Sequence, residues 1–88
     1  MYFVYMIRNS VDKIYAGITK DPKHRVAYHN EKRGAAFTKQ IPTFRLVFLE
    51  QHPDITSARK REIQIKKWRR EKKETLIDRF QQGLPTKT

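Results

Sequence analysis

The feature that most constrains the fold is an unbroken run of aromatic and aliphatic residues at positions 2–7, Tyr-Phe-Val-Tyr-Met-Ile, closed by Arg8. A short apolar run rich in aromatic and β-branched residues predicts a strand that is covered on both faces. A turn-rich stretch at 9–13 follows, and residues 13–18 predict a second strand that forms a hairpin with the first. Gly17 within the second strand indicates a bulge, or a place where another backbone or a ligand comes close.

The rest of the chain predicts helices around one further strand. Asp21-Pro22 is a helix start, because an Asp side chain caps free N–H groups and proline suits the first helical position. This helix is expected to run to about Asn30 or Glu31, and a basic loop follows at 32–36. Residues 43–50 predict a third strand, in which Phe44, Leu46 and Phe48 alternate with Arg45, Val47 and Leu49.

Two helices are expected after the turn at 52–54, one over about 56–70 and one over about 72–81. The second places Leu76, Ile77 and Phe80 on one face. The order strand, strand, helix, strand, helix, helix predicts an α+β fold, a small three-stranded antiparallel sheet flanked by helices. We expect a single domain at 1–82 and a flexible tail at 83–88.

Charge is the strongest signal in the composition. Twenty Lys and Arg oppose nine Asp and Glu, which gives a net charge of +11, and the segment from Arg59 to Lys73 concentrates the bases. Such an excess attracts nucleic acid first and acidic membrane surfaces second. The chain has no cysteine, which excludes disulfides and thiolate metal sites. No apolar stretch is long enough to cross a bilayer, and the first residues lack the features of a signal peptide. We therefore expect a cytoplasmic protein that is not associated with a membrane.

Three groups of residues could carry chemistry. Glu62 falls on the apolar stripe of the long helix, between Ala58 and Ile65, so it needs a cation, a metal or several donors. Arg25 and His29, four residues apart, share one helix face. Tyr5 and Tyr15 lie in the hairpin. Each group also has a structural interpretation: an Arg partner for Glu62, a solvated helix face, and core tyrosines. The three histidines, at 24, 29 and 52, match no zinc-ligand spacing.

The hairpin carries two half-motifs that resemble those of the GIY-YIG nuclease family, Phe3-Val4-Tyr5 and Tyr15-Ala16-Gly17. The family then has an Arg and, in many members, a His four residues later, where Arg25 and His29 stand. A metal-binding Glu on a helix follows, and the segment from Ala58 to Glu62 is similar to it. Phe3 and Ala16 replace the Gly and Ile of the family name at packing positions.

The resemblance covers about residues 2–80 and is closer to the small stand-alone members, which are related to the N-terminal nuclease domain of the excinuclease ABC system. Their typical stretches are similar to His29-Asn30, Lys32-Arg33-Gly34 and Glu62 through Trp68. The ordered positions together are specific, although each motif alone is short.

The resemblance implies a mechanism and a site. Glu62 would hold one divalent metal, with Mg²⁺ favoured, and Arg25 would stabilise charge on the phosphorane. Tyr5 would orient or deprotonate the attacking water, with Tyr15 and His29 assisting. A free tyrosine has a pKa of about 10, so a Tyr5 base needs help from Arg25, the metal or His29. Bases expected to bind nucleic acid are Lys32, Arg33, Lys66, Lys67 and Arg69.

Three functions compete at this point. The favoured one is a metal-dependent endonuclease, acting on DNA in preference to RNA. The second is a non-catalytic nucleic-acid-binding module of the same fold, working with a protein partner. The third is an adaptor for membrane surfaces or acidic proteins, which would need a wide exposed apolar face beside the bases. The sequence leaves the oligomeric state and any protein partner that supplies specificity open.

Overall fold

A computed structural model describes residues 1–25 and 44–86 of the chain. Three strands form one antiparallel sheet: β1 (Tyr2–Asn9), β2 (Ile14–Thr19) and β3 (Phe44–His52). The strand order is β2-β1-β3, so the apolar run lies in the central strand, where Val4 to Ile7 are all buried. The predicted α+β architecture is confirmed.

The turn of the hairpin is held by one side chain. Oδ1 of Asn9 accepts hydrogen bonds from the backbone N–H groups of Val11 (3.1 Å) and Lys13 (2.9 Å). Asp12 takes a positive φ of 67°, a conformation that Asp and Asn tolerate better than most residues. Because Lys13 is used in the turn, β2 begins at Ile14, one residue later than predicted.

A bulge in β3 breaks the predicted alternation of that strand. Met6 pairs with Phe48 and Ile7 pairs with Leu46, so Val47 is an extra residue. Side chains change faces across such an insertion. Phe44 and Leu46 therefore lie on the opposite face of the sheet from Phe48, and the expectation that all three share one face is wrong.

Helices begin where the caps predict. Residues 22–25 are helical, and we name this segment α1; Oδ1 of Asp21 accepts from the N–H of His24 (3.1 Å). The end of α1 and the predicted loop at 32–36 lie outside the described residues. Helix α2 (Ile55–Lys66) is capped by Asp54, whose Oδ1 accepts from the N–H of Ser57 (2.8 Å).

Helix α3 (Arg70–Gln81) follows after a break at 67–69. The prediction that the preceding helix runs to Arg70 is wrong. The backbone N–H groups of Lys67 and Trp68 donate to the carbonyls of Gln64 and Ile65, three residues earlier in each case, and α2 ends in this tighter turn. Gly83, with a φ of +74°, ends α3. In the described parts of the chain, no helix has the length and apolar character needed to span a membrane.

The two faces of the sheet carry separate cores. Helices α2 and α3 cover one face with Ala58, Ile65, Leu76 and Ile77, which pack with residues of β1 and β3 that include Val4, Met6 and Phe48. On the other face, Tyr5, Ile7 and Phe44 form a smaller cluster with Leu49. The central strand is thus covered on both faces, as its composition predicts.

A buried ion pair ties α2 to β3. The guanidinium of Arg61 donates from Nε to Glu50 (3.0 Å), and Nε2 of His52 lies 2.8 Å from the same carboxylate oxygen. All three side chains are buried. The buried polar position between Ala58 and Ile65 is therefore occupied by Arg61, whereas the sequence pattern pointed to Glu62.

The C-terminal residues join this ion pair. The backbone carbonyl of Thr86 accepts from Arg61 (2.7 Å), and the Thr86 hydroxyl donates to Glu50 (3.1 Å). Within the segment predicted as a flexible tail, Thr86 thus contacts both Arg61 of α2 and Glu50 of β3.

Candidate active site

The phenol of Tyr5 lies directly over Gly17. The two residues are partners in the β1–β2 ladder, and a Cβ placed on Gly17 would stand 2.5 Å from the Tyr5 Oη atom and 2.7 Å from its Cζ atom. Any side chain at position 17 would collide with the ring. The predicted reasons for Gly17, a bulge or the approach of a backbone or a ligand, are therefore wrong. The group that approaches Gly17 is the Tyr5 side chain, and the bulge lies in β3. Because β2 is an edge strand, the Tyr5 hydroxyl lies toward the border of the sheet.

Two charges from distant parts of the chain act on this phenol. Burial raises the pKa of Tyr5 above its ordinary value, the positive charge of Arg25 partly offsets that rise, and the negative charge of Glu62 adds to it. Arg25 lies in α1 and Glu62 in α2. The fold therefore brings Tyr5, Arg25 and Glu62 into one electrostatic neighbourhood, although 57 positions separate the first of them from the last (62 − 5).

Glu62 is the acidic member of this group. Its side chain is only 16% exposed, and Nζ of Lys66 lies 3.4 Å from Oε2, one helical turn away. The half-exposed Lys66 is a weak partner, because such i,i+4 pairs contribute about 0.3–0.5 kcal/mol. In residues 1–25 and 44–86, no three His, Cys, Asp or Glu side chains come together as a metal cage. A single carboxylate nevertheless fits Mg²⁺, which keeps several waters and binds through one or two carboxylates and substrate phosphates.

Tyr15 shares the sheet face of Tyr5, since residues 15 and 17 are two apart on β2. Its ring is 40% exposed and packs edge-on against Phe44, with ring centroids 5.5 Å apart. This contact fixes the ring while leaving the side chain partly open to solvent. An exposed hydroxyl held on the Tyr5 face can donate to, or accept from, a bound phosphate or water.

The remaining predicted site residues divide by position. His29, Lys32 and Arg33 lie outside the described residues. Lys67 and Arg69 are exposed at the junction of α2 and α3. Lys66, which was predicted to bind nucleic acid, forms an ion pair with Glu62.

Sequence reasoning missed the ion pair that sets the orientation of α2. Arg61 precedes Glu62 on α2, so its anchor on Glu50 restricts the rotation of the helix that carries Glu62. The guanidinium of Arg61 also lies 5.3 Å from the centroid of the Trp68 ring. The available signal was Glu50 at the end of an apolar strand, but a pairing of residues eleven apart on two different elements has no local pattern.

Comparison with known proteins identifies relatives of this chain. The family model of the GIY-YIG catalytic domain matches residues 1–75. UPF0213 proteins of Staphylococcus aureus strains Mu3 and N315 are each 40% identical over 76 residues, which is 86% of this chain and 93% of theirs. The solution NMR structure of the UPF0213 protein BH0048 from Bacillus halodurans has a TM-score of 0.58 and 32% identity, covering 89% of this chain and 84% of that one.

Proposed function

This chain belongs to the GIY-YIG nuclease family, and from that membership we propose that it is an endonuclease that hydrolyses phosphodiester bonds of nucleic acid, with DNA favoured over RNA. The observation that carries the proposal is the close seat of the Tyr5 phenol over Gly17, together with the opposing charges of Arg25 and Glu62 that act on this phenol. A hydroxyl that can contact water, a cation for the phosphate charge and a carboxylate for a metal ion are parts that phosphodiester hydrolysis needs.

Each residue has a role in this proposal. Tyr5 Oη orients the attacking water, and its seat over Gly17 holds it in place. To accept a proton from that water, Tyr5 must first lose its own phenol proton to solvent and act as the phenolate. Arg25, which is exposed, donates to the non-bridging phosphate oxygens as negative charge builds up on them. Tyr15 contributes a second hydroxyl from the same sheet face. His29 is proposed to assist by exchanging a proton near neutral pH.

Glu62 is the proposed ligand for one divalent cation, with Mg²⁺ favoured. When bound there, the ion would supply positive charge to a phosphate oxygen and to the leaving oxygen. Burial is the main cause of the raised pKa of Tyr5, and the negative charge of Glu62 adds to it. A cation bound at Glu62 would remove that addition and make the phenolate of Tyr5 easier to form.

Cleavage of three DNA substrates tests the proposal. Supercoiled, branched and single-stranded DNA are incubated with the protein, with Mg²⁺ or with EDTA. Arg25→Gln, purified by the same protocol, is the control for contaminating nucleases, since losing one such donor typically costs about 10²–10³ in rate.

We expect cleavage by the wild type with Mg²⁺, none with EDTA, and a loss of at least about a hundredfold in Arg25→Gln. Equal cleavage by both preparations would contradict the assigned site. DNA binding without cleavage of any substrate would favour the non-catalytic module instead.

A further inference from the structure

The basic segment from Arg59 to Lys73 divides into engaged and available cations. Three are engaged by other parts of the fold. Arg61 is buried against Glu50, and Arg70 pairs with Asp12 (2.9 Å) and with Glu74 (3.2 Å). Nζ of Lys72 lies 4.3 Å from the centroid of the Trp68 ring. The charge run seen in the sequence is therefore not one continuous binding surface.

Four exposed cations lie on the outer side of α2, and of these Lys66 also pairs with Glu62. Arg59, Lys60, Lys66 and Lys67 are exposed, and Ile63 lies between them with 46% of its surface exposed. We call these five residues the α2 ridge. Residues three and four apart are neighbours on a helix surface, so Arg59, Ile63 and Lys67 follow one line along it. Within the described residues, Arg59, Lys60 and Lys67 have no acidic partner within ion-pair distance.

The ridge runs beside the candidate active site. Glu62 is the only acidic residue of α2, one turn after Arg59 and one turn before Lys66. Lys66 belongs to both features, because its Nζ lies 3.4 Å from Glu62 Oε2. A polyanion bound along the ridge therefore passes within one side-chain length of the carboxylate.

We propose that the α2 ridge binds the backbone of the nucleic-acid strand next to the scissile phosphate, an inference that rests on the proposed function. Arg59 and Lys67 are eight residues apart, which is about 12 Å along the helix axis. At about 3.4 Å per nucleotide, that distance spans three to four nucleotides of one strand. The ridge thereby assigns Arg59 and Lys60 to binding and gives Ile63 a role, packing against the sugars between phosphate contacts.

The composition of the ridge favours nucleic acid over a membrane surface. A helix that lies on a bilayer needs a broad apolar face beside its cations. On the ridge, one aliphatic side chain stands among four cations. The apolar side chains Ala58 and Ile65 of α2 are already buried in the core.

Salt-dependent binding tests the ridge. Affinity for a fluorescent DNA duplex is measured by anisotropy, without divalent metal, at several salt concentrations between about 50 and 200 mM, the range over which phosphate contacts change affinity steeply. The test variant is Arg59→Gln/Lys67→Gln. The matched control is Lys13→Gln/Arg45→Gln, which removes the same charge at two exposed positions near the hairpin turn and the start of β3.

Each phosphate contact contributes about 0.9 to the slope of log affinity against log salt on duplex DNA. The ridge variant is expected to lose about 1.8 of slope and to bind all sequences more weakly, and the control to keep the wild-type slope. Ile63→Ala is expected to bind several-fold more weakly at an unchanged slope, because an apolar contact releases no counterions. Unchanged melting temperatures establish that all variants are folded.

Two results separate the ridge from the proposed function. In the first, the ridge and control variants lose the same amount of salt-dependence slope while the wild type still binds DNA. This result would show that the α2 ridge is not the binding surface, and it would leave the nuclease proposal standing. Wild-type protein whose affinity for DNA does not change with salt overturns both.

Discussion

Replacing Gly17 with Ala tests whether the seat of Tyr5 matters for function. The added Cβ would stand 2.5 Å from Oη, 2.7 Å from Cζ and 3.0 Å from Cε1 of Tyr5. Non-bonded carbons prefer separations of about 3.5–4.0 Å, so the ring must retreat by about 1 Å. Tyr5 is 6% exposed, and its own cluster with Ile7 and Phe44 resists that movement.

The displacement has separate consequences for stability and for rate. Forcing a methyl group into a packed site costs about 1–3 kcal/mol of unfolding free energy. A catalytic group misplaced by about 1 Å can cost about 10²-fold in rate. We therefore expect Gly17→Ala to unfold at lower denaturant concentration and, per folded molecule, to cleave DNA about a hundredfold more slowly.

Gly83→Ala is the matched control. Gly83 has a φ of +74°, and a methyl group added there would meet no neighbour within 4 Å, so the substitution strains the backbone away from the site. The expected cost of that strain is about 1–2 kcal/mol. Urea unfolding and single-turnover nicking are measured for both variants. If Gly17→Ala cleaves at the rate of Gly83→Ala, the position of the phenol does not limit the reaction and the reasoning is refuted.

Two further predictions concern the buried charges. Arg61→Met should lower the unfolding free energy by up to about 3–5 kcal/mol, because the buried Glu50 loses its guanidinium partner and keeps only the contacts with His52 and Thr86 described above. Arg61→Met/Glu50→Gln should recover part of that loss, and a urea-measured loss below about 1 kcal/mol would contradict the pair. Arg25→Gln should raise the pKa of Tyr5 further and Glu62→Gln should lower it, measured by carbon NMR of labelled tyrosines; shifts of opposite sign would show that the charges are misplaced. The pKa of Tyr5 is higher in the folded protein than in the unfolded chain. Tyr5 therefore makes its full contribution to the unfolding free energy below about pH 10, and this contribution is lost as the pH rises through the pKa of the folded protein.

The sequence predicts local structure well where a single element decides it. The apolar run identifies β1, and the caps Asp21 and Asp54 lie at helix starts. Element ends depend on more than local pattern. The break between α2 and α3 carries neither Gly nor Pro, and Arg69 caps α3 without a side-chain hydrogen bond. The prediction therefore extended α2 by four residues, from Lys66 to Arg70.

Two features depended on contacts between distant residues. The bulge at Val47 is invisible in a two-residue alternation, because every residue around it is a plausible strand residue. The choice between Arg61 and Glu62 as the buried member of α2 depends on Glu50 in β3, eleven residues earlier.

The candidate site residues were identified by their resemblance to the motifs of a known family. The structure adds the charged groups that act on Tyr5. Periodicity alone left Tyr5, Arg25 and Glu62 with ordinary structural interpretations. Their mutual influence is a property of the folded chain, because the three lie on a strand and two different helices. That Glu62 contacts a half-exposed Lys66, while Arg61 holds the buried pair, separates the candidate metal ligand from the structural ion pair.

The most direct test of the site is the nicking of supercoiled DNA by Glu62→Gln beside wild type, with Mg²⁺, together with the unfolding free energy of both proteins. Within residues 1–25 and 44–86, the ion pair that Glu62 forms is the weak one with Lys66, so its neutralisation should change the unfolding free energy by no more than about 1 kcal/mol. A neutral amide is a poor ligand for a hard cation, and metal-dependent nicking should fall to background. Wild-type nicking by folded Glu62→Gln would contradict the central claim that this carboxylate holds the cation of the active site.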